Sequence, residues 1–395
     1  MPEMGRYLSS MSTDTHVIVV GGGPAGLTAA IALGLAGVET ALVAPPPPPD
    51  ARTTALLASS VAALETLGVW KRCRKDAASL RTLRLVDDTG RLLRAPEVRF
   101  DAGEIGLDAF GYNIANRHLT AALDAQAATL PALHRRSEAA TAASVKDASV
   151  TVTLASGERI AARLAVGADG RQSLCRRAAG IATVRQAGTQ SALALSFAHS
   201  RPHHDTSTEF HTPDGPFTTV PLPGDRSSLV WVLGPGAAKR IAAWDDATLS
   251  AEVERCSHSI LGKTTVEPER GVFPLAVETA ERFAAHRIAL IGEAAHVIPP
   301  IGAQGLNLSL RDVADLAAAL TATDRAPGWA RRVSEGYAGR RAGDLSRTGS
   351  MVDALFRSLL ADFLPAQALR AGGLWALKLV PPLRRQAFGV GMGTR

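Results

Sequence analysis

The chain has 395 residues, 46% hydrophobic and 20% charged, which excludes disordered and fibrous classes and exceeds what one hydrophobic core usually serves. A net charge of +6 and a pI near 9.6 favour anionic company such as phosphates or acidic lipid surfaces. Nucleic acid is disfavoured, because only 5% of residues are aromatic and no Lys/Arg block is interleaved with them.

The first residues, MPEMGRYLSSMSTD, lack an apolar h-region, and no apolar run reaches bilayer-spanning length. Cys73, Cys175 and Cys256 are widely separated and form no metal-type pair, so neither a disulfide framework nor a zinc site is expected. The expected location is cytoplasmic, with attachment to the inner membrane face left open.

His16 to Val20 reads as an apolar strand, followed by Gly21-Gly22-Gly23-Pro24-Ala25-Gly26, a small-residue helix and a second strand from Thr40 to Val43. This is G-x-G-x-x-G in a βαβ setting. Gly21 makes the tight turn, Gly23 lets the backbone approach a pyrophosphate, and Gly26 lets helix and strand pack closely. The anion then rests on the helix N-terminus. An ordinary strand-to-helix turn remains the alternative. The acidic residue expected at the end of the second strand is replaced by Ala44, followed by Pro45 to Pro49 and then Asp50. Either the ribose is held otherwise, or the proline arm folds Asp50 back.

Ser149–Leu154 and Arg159–Ala165 alternate around Ala155-Ser156-Gly157-Glu158, which predicts a hairpin. The second strand ends at Gly167-Ala168-Asp169-Gly170 before a basic helix. That shape suits a phosphate-side turn and equally suits simple punctuation. Glu209 and His211 lie in the middle segment, where a buried pair, a solvated strand face and a substrate contact are all open.

A third strand, Arg287 to Ile291, ends at Gly292-Glu293, whose carboxylate suits a ribityl or ribose hydroxyl. Pro299-Pro300 shape the next loop. Gly302, Ala303, Gln304, Gly305, Leu306 and Asn307 then present backbone N–H groups and a helix dipole to a carbonyl or nascent anion. A capped helix with a solvated carboxylate is the bland alternative. His296 reads as a hydrogen-bonded structural histidine rather than a catalytic one. No metal cluster and no catalytic base are identified.

Three such turns in one order, GGGPAG, GADGRQS and GEAAHVIPPIGAQGLNLSLRD, resemble the FAD fingerprints of the aromatic-hydroxylase flavoproteins typified by p-hydroxybenzoate hydroxylase. Within that superfamily the chain is most similar to the UbiH/UbiF-type ubiquinone-biosynthesis hydroxylases. The narrower likeness rests on DARTTALLASSVAALETLGVW, GYNIANRHLTAAL, EFHTPDGPFTTVPLP and GAQGLNLSLRDVADL. The resemblance implies that Gly21, Gly23 and Gly26 hold the FAD pyrophosphate and that Arg52 and Arg117 line its phosphates and the approach to the ring. It implies that Asp169, with Gly170, touches FAD and serves nicotinamide-nucleotide binding. Gly292, Glu293, Pro300 and Gly302 to Asn307 would surround the flavin. Glu293 stands where the family has Asp, and Ala44 where it has an acid.

The implied activity is hydroxylation of a polyprenylated phenol or quinol by FAD with NADPH or NADH and dioxygen. The alternatives are a hydroxylase of small soluble aromatics and a non-catalytic FAD-binding scaffold among other ubiquinone-biosynthesis proteins. The expected fold is α/β: a Rossmann-like FAD-binding domain with a parallel sheet, a mostly antiparallel substrate-covering sheet, and C-terminal helices. The FAD domain is assigned to residues 12–75, 110–185 and 275–350, and the substrate domain to 76–109 and 186–274. The segment 351–395 mixes Leu, Phe and Trp with Arg and Lys, which suits a membrane surface. Phe356, Leu359, Leu360 and Phe363 equally suit a helix packed over the FAD domain.

Overall fold

The computed structural model describes residues 11–48, 50–90, 95–299, 302–323, 326–343 and 364–392. Pro300 of the candidate site lies outside these, as do Phe356, Leu359, Leu360 and Phe363.

The chain opens with β1 (Met11–Val20), α1 (Pro24–Leu35) and β2 (Thr40–Val43), a βαβ unit in which β2 pairs parallel to β1. A meander follows, made of β3 (Thr53–Leu57), α2 (Ala58–Thr66), α3 (Trp70–Cys73) and β4 (Ala77–Leu80). Next come β5 (Thr82–Asp87), β6 (Val98–Asp101), β7 (Gly111–Ala115), α4 (Asn116–Ala127) and β8 (Leu133–Arg136). Strands β9 (Ala140–Val145), β10 (Val150–Leu154) and β11 (Arg159–Gly167) lead to the short helix α5 (Leu174–Ala178). The predicted hairpin is there: β10 and β11 pair antiparallel.

The middle of the chain is β12 (Thr183–His199), β13 (Thr206–Thr212), β14 (Gly215–Leu222), β15 (Arg226–Leu233), α6 (Pro235–Ala242), α7 (Asp246–Cys256) and β16 (Thr264–Ala280). It returns through β17 (Ala284–Ala285), β18 (Ile288–Leu290), β19 (His296–Val297) and α8 (Gln304–Thr321). Helices α9 (329–343), α10 (Leu364–Leu379) and α11 (Pro381–Met392) complete it.

Three sheets result. One has the order β17-β18-β11-β1-β2-β8 with β10 and β9 attached, and its central neighbours β18, β11, β1, β2 and β8 run parallel. Its central strands β2 and β18 and the second half of β1 are continuous buried runs, as burial on both faces requires, and Val17 to Val20 sit in the largest core with Leu27 and Ile31 of α1. The second sheet, β19-β16-β12-β15-β14-β13-β5-β6, is mostly antiparallel, and the third is the small set β3-β7-β4. This is the α/β architecture expected from the sequence.

Alternation gives the second sheet two different faces. Leu193, Leu195, Phe197, Phe217, Leu229 and Trp231 face outward and pack with Ala238, Ile241, Leu249 and Val253 of α6 and α7. The residues between them face β3 and β7. Asn113 of β7 donates to the Pro221 carbonyl at 2.9 Å and to Ser228 Oγ at 3.0 Å, and the Arg52 guanidinium lies 5.5 Å from the Phe273 ring centroid.

Candidate flavin site

Strand register brings the three loops together. Val20 at the end of β1 is the neighbour of Gly167 on β11, and Gly167 is the neighbour of Leu290 on β18. The turns after these strands therefore leave the same carboxyl edge of the parallel sheet, where ligands of open α/β folds sit. Contacts between the loops are tight. A Cβ at Gly21, whose φ is +117°, would lie 2.2 Å from the Ala168 carbonyl oxygen, so only glycine permits the first and second loops to touch. A Cβ at Gly26 would lie 2.0 Å from the Gly21 carbonyl oxygen. A Cβ at Gly292 would meet the Ala25 Cβ at 3.1 Å and Ser309 Oγ at 3.4 Å, which joins the third loop to α1 and α8.

Gly23 differs from these. It is the N-cap of α1 with ordinary extended geometry, and a Cβ there would meet no protein atom within 4 Å. Nothing within the chain requires glycine at this position, which leaves the backbone open to close approach by a ligand such as a pyrophosphate. Neither α1 nor α8 carries a side-chain cap, and α8 begins after Ala303 in the left-handed conformation (φ +56°). Two helix ends thus keep first-turn N–H groups for an electron-rich partner. The residues present fit FAD: a glycine cradle for its pyrophosphate and a second helix end for the ring.

Other site residues have structural partners of their own. Asp169 accepts from Ser173 Oγ at 2.5 Å and from the Cys175 backbone at 3.0 Å, so its carboxylate fixes the start of α5; Gly170 beside it is left-handed at φ +74°. Glu293 pairs with Arg171 at 3.2 Å, and both are about half exposed at 50% and 45%. This ion pair spans the second and third loops. The carboxylate of Asp50 has partners of its own. It holds Arg52 through Nε and Nη2 at 2.8 Å each and accepts from Asn116 at 2.9 Å. Burial opposes its charge, but these hydrogen bonds outweigh it and lower its pKa to about 2. Hydrogen bonding to Asp50, with Glu293 adding charge, raises the Arg52 pKa. Ala44 is held against the glycine turn: its Cβ would lie 2.7 Å from a Cβ at Gly22.

Arg117, in the first turn of α4, faces a cleft of about 120 Å³ lined also by Ala51, Thr53, Lys75 and Arg226, between β3 and the large antiparallel sheet. In the third loop, Gln304 donates to the Gly302 carbonyl at 3.1 Å, Gly305 has open space over its α-carbon, and Leu306 packs into the main core. Asn307 is a clamp. Its Oδ1 accepts from the Leu57 backbone at 2.9 Å and its Nδ2 donates to the Ala55 carbonyl at 2.8 Å, so α8 is fixed to β3.

Two features went unread in the sequence. His296 is fully buried, as its structural assignment requires, and its partner is Asp312 on α8 at 2.7 Å. Asp312 Oδ2 also accepts from the Gly292 backbone at 2.9 Å. Its Oδ1 lies 2.8 Å from Arg341 Nε, a contact of charge rather than a well-aligned hydrogen bond. The signal was available: Asp312 sits between Leu308 and Leu316 on the buried stripe of α8, where an unpaired acid is costly. The second feature is Asn113, which anchors β7 to the antiparallel sheet. Glu209 and His211 form a pair at 3.0 Å with side chains 14% and 6% exposed, so the buried-pair alternative holds.

The face of the antiparallel sheet turned toward these loops is lined with small side chains. Thr218, Val230, Ala194 and Gly271 form one transverse row, and Val232, Ala192 and Phe273 the next. Thr218, Val230, Ala194, Gly271 and Phe273 are only half-buried, which leaves room between the sheet and the loops.

Comparison with known proteins agrees with this geometry. The family model described as FAD binding domain matches residues 14–333. The chain is 33% identical to the ubiquinone hydroxylase UbiL of Rhodospirillum rubrum, over 99% of this chain and 92% of that one. It is 32% identical to the 3-demethoxyubiquinol 3-hydroxylase of Escherichia coli K12, over 96% and 98% respectively. Among solved structures, p-nitrophenol 4-monooxygenase PnpA from Pseudomonas putida DLL-E4 shares the fold at a TM-score of 0.78, with 21% identity and coverage of 96% and 97%. The chain belongs to the FAD-binding aromatic monooxygenase family, among relatives of the UbiH/UbiL-type ubiquinone hydroxylases.

Proposed function

We propose that this chain is an FAD-dependent monooxygenase that hydroxylates the aromatic ring of a polyprenylated phenol or quinol on the route to ubiquinone, with NADPH or NADH and dioxygen as co-substrates. The observation that carries it is the open Gly23 cradle and the uncapped start of α8, held around one edge of the parallel sheet opposite a floor of small residues. Relatives named for ubiquinone hydroxylation align along 92% and 98% of their own lengths, which supports the substrate class.

Bound FAD supplies the redox chemistry, accepting electrons from the nicotinamide and delivering them to dioxygen. The chain supplies position and electrostatics. The N–H groups at the start of α1 would hold the pyrophosphate, and Arg52, anchored by Asp50 and set over Phe273, would stand at the approach to the ring. The start of α8 would offer a positive helix end to negative charge on a bound flavin ring. Asn307 and the Asp312 cluster keep that helix end from moving. Half-buried Ala194, Gly271 and Thr218 would leave space for a flat substrate ring, and Val230 would keep that space apolar and poor in water.

The test is turnover by FAD-loaded protein. Prenylated phenols should stimulate NAD(P)H oxidation and gain one oxygen atom by mass spectrometry, with little product from an unprenylated phenol. Faster hydroxylation of the soluble phenol would assign the chain to small aromatics, and protein that takes up no FAD would make it a scaffold.

A further inference from the structure

Of six large hydrophobic side chains exposed among the described residues, four crowd the corner where α10 meets α11: Trp375 (46%), Leu379 (69%), Val380 (45%) and Leu383 (42%). Trp375 and Leu379 are one helical turn apart and share a face. Pro381 and Pro382 stiffen the corner between the two helices, so the apolar side chains are presented by a rigid element. The charge carried by these helices has one sign, while Glu97 and Glu104 of the neighbouring segment share a cleft with Lys378 and Arg384. From residue 363 to the end the sequence carries Arg370, Lys378, Arg384, Arg385 and Arg395, with no Asp or Glu. Lys378 lies 5.6 Å from the Trp375 ring centroid, and Arg385 is exposed. Arg384 is committed inward, to Glu104 at 2.8 Å.

The opposite side of the same helices is packed. Leu374, Leu377 and Phe388 join a cluster that reaches Ala55 and Val220, with Phe388 5.3 Å from Phe100 and 5.6 Å from Phe110 between ring centroids. Ala55 is the β3 residue whose carbonyl accepts from Asn307, and Val220 lies on the inward face of the antiparallel sheet. Apolar packing is therefore continuous from the exposed corner to the neighbourhood of the flavin loops. A surface seeking only water would not be built so, and a protein partner would have to accommodate the cations Lys378 and Arg385 beside the apolar side chains.

We propose that the α10–α11 corner is a membrane-docking surface. Leu379, Val380, Leu383 and Trp375 seat at the acyl boundary of an anionic bilayer, and Lys378 and Arg385 meet its headgroups. The purpose of the surface rests on the hydroxylase reading: it brings the enzyme to a substrate whose prenyl tail lies in the lipid. The docking itself does not depend on the reaction. Among the described residues no helix is long and apolar enough to cross a membrane, so the contact is peripheral in kind for these helices.

The experiment is co-sedimentation of full-length, FAD-loaded protein with vesicles of phosphatidylcholine alone or mixed with phosphatidylglycerol. Two variants are compared with the unaltered chain: Leu379→Ser with Val380→Ser and Leu383→Ser, and Lys378→Gln with Arg385→Gln. The unaltered protein should pellet with anionic vesicles and release in high salt. The apolar variant should bind about tenfold more weakly or worse, and the charge variant should lose its preference for anionic lipid. Flavin absorbance and turnover of a short-chain, water-soluble prenyl phenol should stay unchanged in both, showing that the variants are folded. The proposal fails if the unaltered protein stays in the supernatant, or if both variants pellet as it does. It also fails if sedimentation shows a dimer that the apolar variant dissolves with no change in vesicle binding. Loss of the hydroxylase reading would appear separately, as absent phenol turnover in protein that still binds vesicles.

Discussion

Gly23→Ala separates cofactor binding from folding. An added Cβ at Gly23 meets no protein atom within 4 Å, and the backbone there (φ −71°, ψ 174°) is one that alanine adopts freely. Replacing glycine by alanine at an N-cap costs up to about 1 kcal/mol. Reduced freedom of the unfolded chain returns about 0.4–1 kcal/mol, so net stability should move by less than about 1 kcal/mol. The pyrophosphate, by contrast, meets the methyl group directly. Losing one or two charge-assisted hydrogen bonds, at about 1.5–3 kcal/mol each, weakens FAD binding by at least about tenfold. Flavin fluorescence titration of apoprotein, beside urea unfolding of the same sample, reads both quantities. Gly21→Ala is the contrast. Its Cβ would lie 2.2 Å from the Ala168 carbonyl oxygen at a φ of +117°, so it should destabilise the apoprotein outright. FAD affinity unchanged in Gly23→Ala, or apoprotein destabilised as much as by Gly21→Ala, would refute the cradle.

Asp312→Ala removes a fully buried carboxylate from beside Arg341, leaving it Asp315 at 3.0 Å, and strips His296 and the Gly292 N–H of their acceptor. It should lower unfolding free energy by about 3–5 kcal/mol in urea, and a loss below about 1 kcal/mol would contradict the cluster's role. Ala44→Glu places a carboxylate beside the glycine turn and should tighten FAD binding by about fivefold, roughly 1 kcal/mol by titration. Because Asp50 is committed to Arg52 and Asn116, an unchanged affinity would put the ribose contact elsewhere. Burial, with Asp76 adding to it, raises the Cys73 thiol to about 11; burial, with Glu252, raises Cys256 to about 12; burial, with Asp169, raises Cys175 well above the ordinary range. Native protein at pH 8 should therefore react slowly with a disulfide reagent, whereas urea should expose all three thiols; rapid native labelling would oppose this.

The parts legible in the sequence were those where local chemistry dictates geometry. A glycine that must turn at positive φ or admit a neighbour's backbone is visible as Gly21 or Gly26, and a strand buried on both faces is visible as the run His16 to Val20. That strand begins earlier than its apolar run, at Met11, because pairing with β11 extends it beyond that run. The long-range roles were not legible. Nothing near Asn307 announces that its amide will hold β3, some 250 residues away. Asp50 offered two local fates, and only the arrival of Asn116 from α4 chose between them. Ion pairs such as Glu293 with Arg171 depend on two loops meeting, which no single stretch encodes.

The most direct measurement is the structure of the protein with FAD bound. Backbone N–H groups following Gly23 should lie within hydrogen-bonding distance of the pyrophosphate, and the pyrimidine side of the ring should face the first turn of α8 at Gln304 to Asn307. A flavin seated away from the edge shared by β1, β11 and β18, with Gly23 still facing solvent, would contradict this assignment.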